Sequence, residues 1–155
     1  MTGIHVLIVE KLRVFYVVKK RPVRVFEPYQ MLGEIDDELM DAMGIDVTGL
    51  FGENNMFGIK NSHWRIHKTP WGQEVMLPGE FNYTFTVNGD ILIHPEGDTS
   101  VPPSAVMPKS GYFFDALNRQ EPIDDNTLKI EDNLEEFTAI SDHDLEYWKQ
   151  QAESV

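Results

Sequence analysis

Cysteine is absent from the 155 residues. That excludes a disulfide framework, a thiolate metal site and a cysteine nucleophile. Basic side chains are scarce as well, 13 Lys and Arg against 26 Asp and Glu, for a formal net charge of -13. A nucleic-acid binder presents a dominant basic face, so no nucleic-acid partner is expected. No apolar run approaches the ~18 residues of a membrane span. The start, Met1-Thr2-Gly3-Ile4-His5, has neither the basic segment nor the small-residue cleavage site of a signal peptide. The expectation is a soluble, cytoplasmic chain with no membrane partner. There is no internal repeat and no low-complexity tract. The length suits one domain of ordinary size but is too short for a complete eight-fold β/α barrel, which needs roughly 200 residues or more.

The charge that is present is unevenly placed. Residues 1–26 carry six basic side chains (Lys11, Arg13, Lys19, Lys20, Arg21, Arg24) and one acidic, Glu10, a net of +5. Residues 121–155 carry eleven acidic and two basic, a net of -9. Lys19-Lys20-Arg21 reads as a solvated turn rather than a nucleic-acid patch.

Apolar periodicity places a helix in residues 4–18, with Ile4, Ile8, Leu12 and Phe15 on one stripe. The β-branched content of Ile4–Val9 also permits a strand there. Arg21-Pro22 breaks that pattern, and Val23-Arg24-Val25-Phe26 reads as a short strand ended by Glu27-Pro28. From Tyr29 to Met43, Met31, Ile35, Leu39 and Met43 recur every four residues, which predicts a helix closed by Gly44. Ile45-Asp46-Val47 then reads as a short strand. Two such αβ units in series over residues 1–50 point to α/β or α+β architecture.

The middle of the chain changes character. His63–His67 and Glu74–Leu77 flank Thr69-Pro70-Trp71-Gly72, a hairpin with a longer loop. Asn82–Val87 and Ile91–His94 flank Asn88-Gly89-Asp90, where Asn-Gly predicts a type I′ turn. Residues 63–95 are thus expected to form one small antiparallel sheet. Residues 96–141 read as irregular, with Gly111–Asp115 as one buried run. Ser141 and Asp144 resemble a capping box that opens a helix over 142–153, striped by Leu145 and Trp148.

Candidate chemistry is thin. His63, His67 and His94 could supply three imidazoles to zinc. However, the residue after the first His is Trp64 rather than the Glu of zinc peptidases, and the sequence around it is hairpin, so no metal site is assigned. Glu96-Gly97-Asp98-Thr99-Ser100 lacks the ligand spacing of an EF-hand and reads as a turn in which Asp98 and Ser100 bond their own backbone. Lys109, in Met107–Tyr112, reads as a surface residue outside any phosphate loop. Ser62 and His63, adjacent in a strand, would point to opposite faces. The acid pairs Asp36-Asp37 and Glu135-Glu136 lie on polar faces with nothing to shift their titration. Trp64, Trp71, Tyr83 and Phe85 could line a sugar-binding face, although core packing is the commoner use of such residues. No catalytic residue, no cofactor and no cofactor-binding residue is assigned.

Five segments, in order, resemble the uroporphyrinogen decarboxylase family: VRVFEPYQMLGEID at 23–36, MGIDVTGL at 43–50, TPWG at 69–72, PEGDTS at 95–100 and MPKSGYFFD at 107–115. The similarity runs from about Thr2 to Ala152, nearest to the decarboxylase-like proteins grouped with cobalamin-dependent methyltransferases. It implies a β/α barrel of roughly 350 residues, within the range of such barrels, with this chain as a partial barrel, an N-terminal section carrying a small antiparallel hairpin insertion. Members decarboxylate the acetate side chains of uroporphyrinogen without a cofactor, or move methyl groups between a corrinoid protein and a thiol. The zinc ligands of the methyl-transferring branch lie late in the chain and include cysteine, so none carries over. Arg21 and Arg24 do not sit in the family's arginine motif, and Asp46 lies at the front of its expected strand instead of after it. The resemblance therefore implies a fragment or truncated relative, inactive alone, with a complementary barrel-half protein or a second copy as partner and a tetrapyrrole or corrinoid as possible ligand. The alternative is a stand-alone binding module acting through self-association or a protein partner.

Overall fold

The computed structural model describes residues 3–118, 124–127, 129 and 139–154. The chain divides into two compact units, Met1–Leu117 and Asn118–Val155. The first unit runs α1 (Val6–Phe15), β1 (Val23–Glu27), β2 (Leu32–Gly33), α2 (Asp37–Met43), β3 (Arg65–Lys68), β4 (Glu74–Leu77), β5 (Tyr83–Phe85), β6 (Ile91–Ile93), β7 (Ala105–Met107) and β8 (Asp115–Ala116). The second holds α3 (Asp142–Glu153). Strands and helices are mixed, and neither of the two four-stranded sheets, ordered β2-β1-β4-β3 and β5-β6-β7-β8, is closed. No helix among the described residues is long and apolar enough to cross a membrane.

The first helix forms, but its inner face is not the expected stripe. Val6, Val9 and Arg13 are buried, whereas Ile8 and Phe15 face outward. Spacings of three and four fit both stripes, and tertiary anchoring decides between them. The Val6 N–H donates to the Met31 carbonyl at 2.8 Å and the Gly33 N–H to the Ile4 carbonyl at 2.8 Å, which turns the Val6 side to the sheet. Ile4 and Leu12 keep a place at the edge of the core.

The expected helix over 29–43 shrinks to Asp37–Met43. The Glu27 carboxylate accepts the Tyr29 and Gln30 N–H groups, both at 2.8 Å, which winds the chain into a turn after β1. Met31 sits at φ 53, and Leu32–Gly33 returns antiparallel to β1. Asp36 then caps α2 by accepting the Leu39 N–H, and Gly44 ends it at φ 69, the left-handed conformation that glycine adopts without a Cβ clash. The expected strand at 45–47 is not formed, because no neighbouring strand offers it a ladder.

Both hairpins form, with a different destination. β3 and β4 pair antiparallel, and β4 then adds to β1 in parallel, Val23 opposite Val75 and Arg24 opposite Met76. β5 and β6 pair in the other sheet, extended by β7 and β8. Residues 63–95 are thus divided between two sheets instead of forming one, and the stretch expected to be irregular supplies β7, β8 and a single 3-10 turn at Pro95–Gly97. The Asn88-Gly89 turn is not type I′. Only Gly89 has positive φ, at 88°, and the Gly89 N–H donates to the Thr86 carbonyl. That is a type I turn with glycine at the bulge, the three-residue loop of a hairpin. In Gly111–Asp115, Phe114 alone is buried, while Tyr112 and Phe113 are exposed.

One core joins both sheets and the helices of the first unit: Val6, Val9, Val25, Leu39, Val75, Phe81 and Ile93 are among its fully buried members. α3 starts as expected, with Ser141 Oγ accepting the Asp144 N–H at 3.1 Å. None of its residues is buried.

Candidate functional site

The densest polar chemistry lies beside the start of β1, in a cleft of about 330 Å3 lined by Arg21, Arg24, Glu34, Asp36, Thr48 and Phe51, among others. Its foundation is Arg13, only 1% exposed. Its guanidinium donates to both Asp36 oxygens at 2.8 and 2.6 Å, to Glu38 at 2.7 Å and to the Lys19 carbonyl. A buried cation is tolerated only when paired and hydrogen-bonded in this way. Arg21 adds an Nη2 contact to Asp36 at 2.8 Å from the solvent side.

Asp36 is therefore a helix cap and the hub of an ion-pair cluster. Burial would raise its carboxyl, but hydrogen bonds from Arg21, the Leu39 N–H and Arg13 together hold it below the ordinary value. This corrects the expectation that Asp36-Asp37 has nothing to shift its titration. The second acid pair, Glu135-Glu136, lies outside the described residues. Glu34 behaves oppositely. Burial pushes its carboxyl up, Asp36 and Asp37 push the same way, and Arg24 and Arg21 only partly offset them. The nearest Arg24–Glu34 approach is 3.7 Å, beyond hydrogen-bond range. The Arg24 guanidinium instead lies over the Trp64 ring, 5.6 Å from its centroid, a cation–π geometry.

The histidines are dispersed. No group of three His, Asp or Glu side chains among the described residues is placed to hold a metal ion. His94 is buried, with Nδ1 2.8 Å from the Val101 carbonyl and Nε2 2.9 Å from Thr84 Oγ1. The carbonyl can only accept, so Nδ1 carries the proton and Nε2 accepts from the hydroxyl. His67 packs between Phe81 and Tyr83. Its buried Nε2 has no hydrogen-bond partner, and burial, aided by the Arg65 charge, lowers its titration. His63 stands outside β3 at φ 52. That conformation turns its ring back toward Ser62, whose Oγ lies 3.1 Å from Nδ1, so the two side chains meet rather than oppose one another. No third side chain among the described residues hydrogen-bonds to this exposed pair.

The four aromatic residues considered for sugar binding do not form one face; only Tyr83 and Phe85, on β5, meet. Trp71 packs against His5 and Tyr112, Trp64 lies under Arg24, and Tyr83 meets Phe85 edge-on. The split of the two hairpins between sheets is the cause. Asp98 and Ser100 form the expected local turn, Oδ1 accepting the Ser100 N–H at 2.9 Å and hydroxyl at 2.7 Å. Lys109 is exposed, as expected.

Two apolar surfaces lie open as well. After α2, residues 46–50 form no backbone hydrogen bond to another described residue, and Val47 and Leu50 are 63% and 46% exposed. At the end of α1, Phe15 and Val17 are 76% and 91% exposed. No protein-family model, curated protein or solved structure matches the chain.

Proposed function

We propose that the chain is an N-terminal section of a larger β/α barrel of the uroporphyrinogen decarboxylase type, active only when further strands complete it. The observation that carries this reading is the sequence of events from β1 to residue 50. β1 is followed by the short antiparallel β2, then by the capped helix α2, and then by a stretch, Ile45–Leu50, that pairs with no strand among the described residues. In a β/α barrel the helix returns the chain so that the next strand lies parallel to the first. Val47 and Leu50 then face a neighbour and not solvent. The open end of α1 supports the same reading, since contiguous apolar surface of this kind marks an interaction site.

The reaction under this reading is decarboxylation of uroporphyrinogen acetate groups, or methyl transfer between a corrinoid protein and a thiol. Barrel active sites draw on the C-terminal ends of many strands, so this chain supplies one wall and no assigned catalytic residue. The test is expression of the chain with and without the polypeptide encoded directly after it. A one-to-one complex that turns over uroporphyrinogen or transfers a methyl group, beside a silent lone chain, supports the proposal. Turnover by the lone chain contradicts it.

A second reading, a self-associating interaction module, is favoured by the exposed Phe15–Val17 end of α1 with Lys11 and Lys19 beside it, in a chain whose residues 121–155 carry a net of -9. Light scattering across a salt series checks it: association that weakens with salt fits, and a monomer at every ionic strength does not.

A further inference from the structure

Arg24 and Glu34 lie side by side in the lining of the cleft without forming a hydrogen bond. A guanidinium and a carboxylate this near normally collapse into a bidentate pair at hydrogen-bond distance, yet here 3.7 Å separates them. Arg24 is held off by its seat over Trp64, and Glu34 by its place just after β2, where its N–H donates to the Arg24 carbonyl at 2.8 Å. Neither side chain forms a hydrogen bond to another described residue.

We propose that the cleft in front of this open pair is the binding site for a free small-molecule carboxylate, whose oxygens accept from the Arg24 guanidinium and from the Glu34 carboxyl. This inference does not rest on the barrel reading.

Three features select that chemistry. The first is donor type: Arg24 offers only N–H groups, and Glu34, raised in its titration by burial, holds a proton more readily than an ordinary glutamate. The converging donors suit an oxyanion. The second is charge. From β1 the cleft is faced by Arg24, from the preceding turn by Arg21, and from the start of α2 by Asp36 and Asp37, with Glu38 behind them. Asp36 and Glu38 are already matched by Arg13 and Arg21, which leaves Asp37 as the one opposing charge without such a match. β4 and residues 48–51 bring only Met76, Thr48, Gly49 and Phe51 to the cleft. The third is shape. At about 330 Å3 the space lies at the small end of ligand pockets. Pro22, Ile35, Phe51 and Met76 add apolar contacts to a lining that is mostly polar, so a small monoacid fits better than a polyacid.

Binding is coupled to proton uptake at Glu34. Affinity therefore rises as pH falls through the range in which free Glu34 titrates. Benzoate is the first probe, and benzenesulfonate, which stays ionised in acid, separates protonation of Glu34 from protonation of the ligand. The full chain is titrated by heteronuclear NMR at about pH 7 and about pH 5. Saturable shifts at the amides of residues 34–37 and 48–51, tighter at the lower pH for both probes, are expected. Arg24→Gln should weaken binding about tenfold or more, the loss of a charge-assisted hydrogen bond, with dispersion of the spectrum showing that the fold persists. Glu34→Gln, a permanent donor, should bind at the higher pH as tightly as the parent does at the lower one. Absence of saturable shifts, binding indifferent to Arg24→Gln, or unchanged pH dependence in Glu34→Gln would overturn the proposal.

Discussion

At the residue scale, Arg13 matters most and was hardest to foresee. It shares a helical stripe with Val6 and Val9, and a cation on an apolar stripe is ordinarily assigned to the surface. The sequence signal was the acid-rich start of the next helix, Asp36 and Glu38, but nothing local states that they meet Arg13. Arg13→Met is expected to destabilise the fold by about 3 kcal/mol, because it leaves the partly buried Asp36 without its inner partner; urea unfolding checks this. The acid limb of stability follows from Asp36 and Glu34. Asp36 titrates below its ordinary value when folded, so its contribution is complete above the ordinary aspartate range and is lost as pH falls through the depressed value. Glu34 is raised, so its contribution is complete below the ordinary glutamate value and is lost as pH rises through the raised one. Asp36→Asn should flatten the acid loss seen in urea midpoints, and Glu34→Gln should steepen it.

At the element scale, the end of α1 carries visible strain. The Val18 N–H donates to the Arg13 carbonyl and the Val17 N–H to the Val14 carbonyl, which closes the helix in a left-handed turn. The residue at that turn is Val17, β-branched, at φ 58. Glycine is the usual occupant, and a left-handed L-residue costs about 1–2 kcal/mol. Because Val17 is almost fully exposed, Val17→Gly should raise stability by about 0.5–1 kcal/mol after the entropic cost of glycine. A lower melting midpoint would show that Val17 is buried by something in solution. Elements whose signals are local were legible in the sequence: β3 and β4 around Thr69–Gly72, β5 and β6 around Gly89, the Gly44 cap, and α3 behind Ser141. The errors came where distant partners decide. The Met31-Ile35-Leu39 spacing promised a long helix, but the Glu27 carboxylate and the pairing of β2 with β1 claimed its first half. Likewise, Ala105–Met107 becomes a strand only because β6 lies beside it.

At the scale of the whole molecule, the mixed class was readable, and the absence of closure in either sheet agrees with the length. The pairing of β1 with β4, across some fifty residues, was not readable, since parallel neighbours leave no turn signature in the sequence. The cleft was hidden as well: Arg24 and Glu34 share the segment 23–36 and Thr48 lies in 43–50, but nothing local in either states that they line one space. Ile45-Asp46-Val47, by contrast, was expected to form a strand and forms none among the described residues; that this stretch lies unpaired is the basis of the proposed function. Hydrogen exchange over residues 46–50 tests that proposal most directly, in the lone chain and after expression with the polypeptide encoded directly downstream. Rapid exchange alone, slowed by orders of magnitude in a one-to-one complex, is the expected result. Exchange that stays rapid in the presence of that polypeptide, or amides already protected in the lone chain, would contradict it.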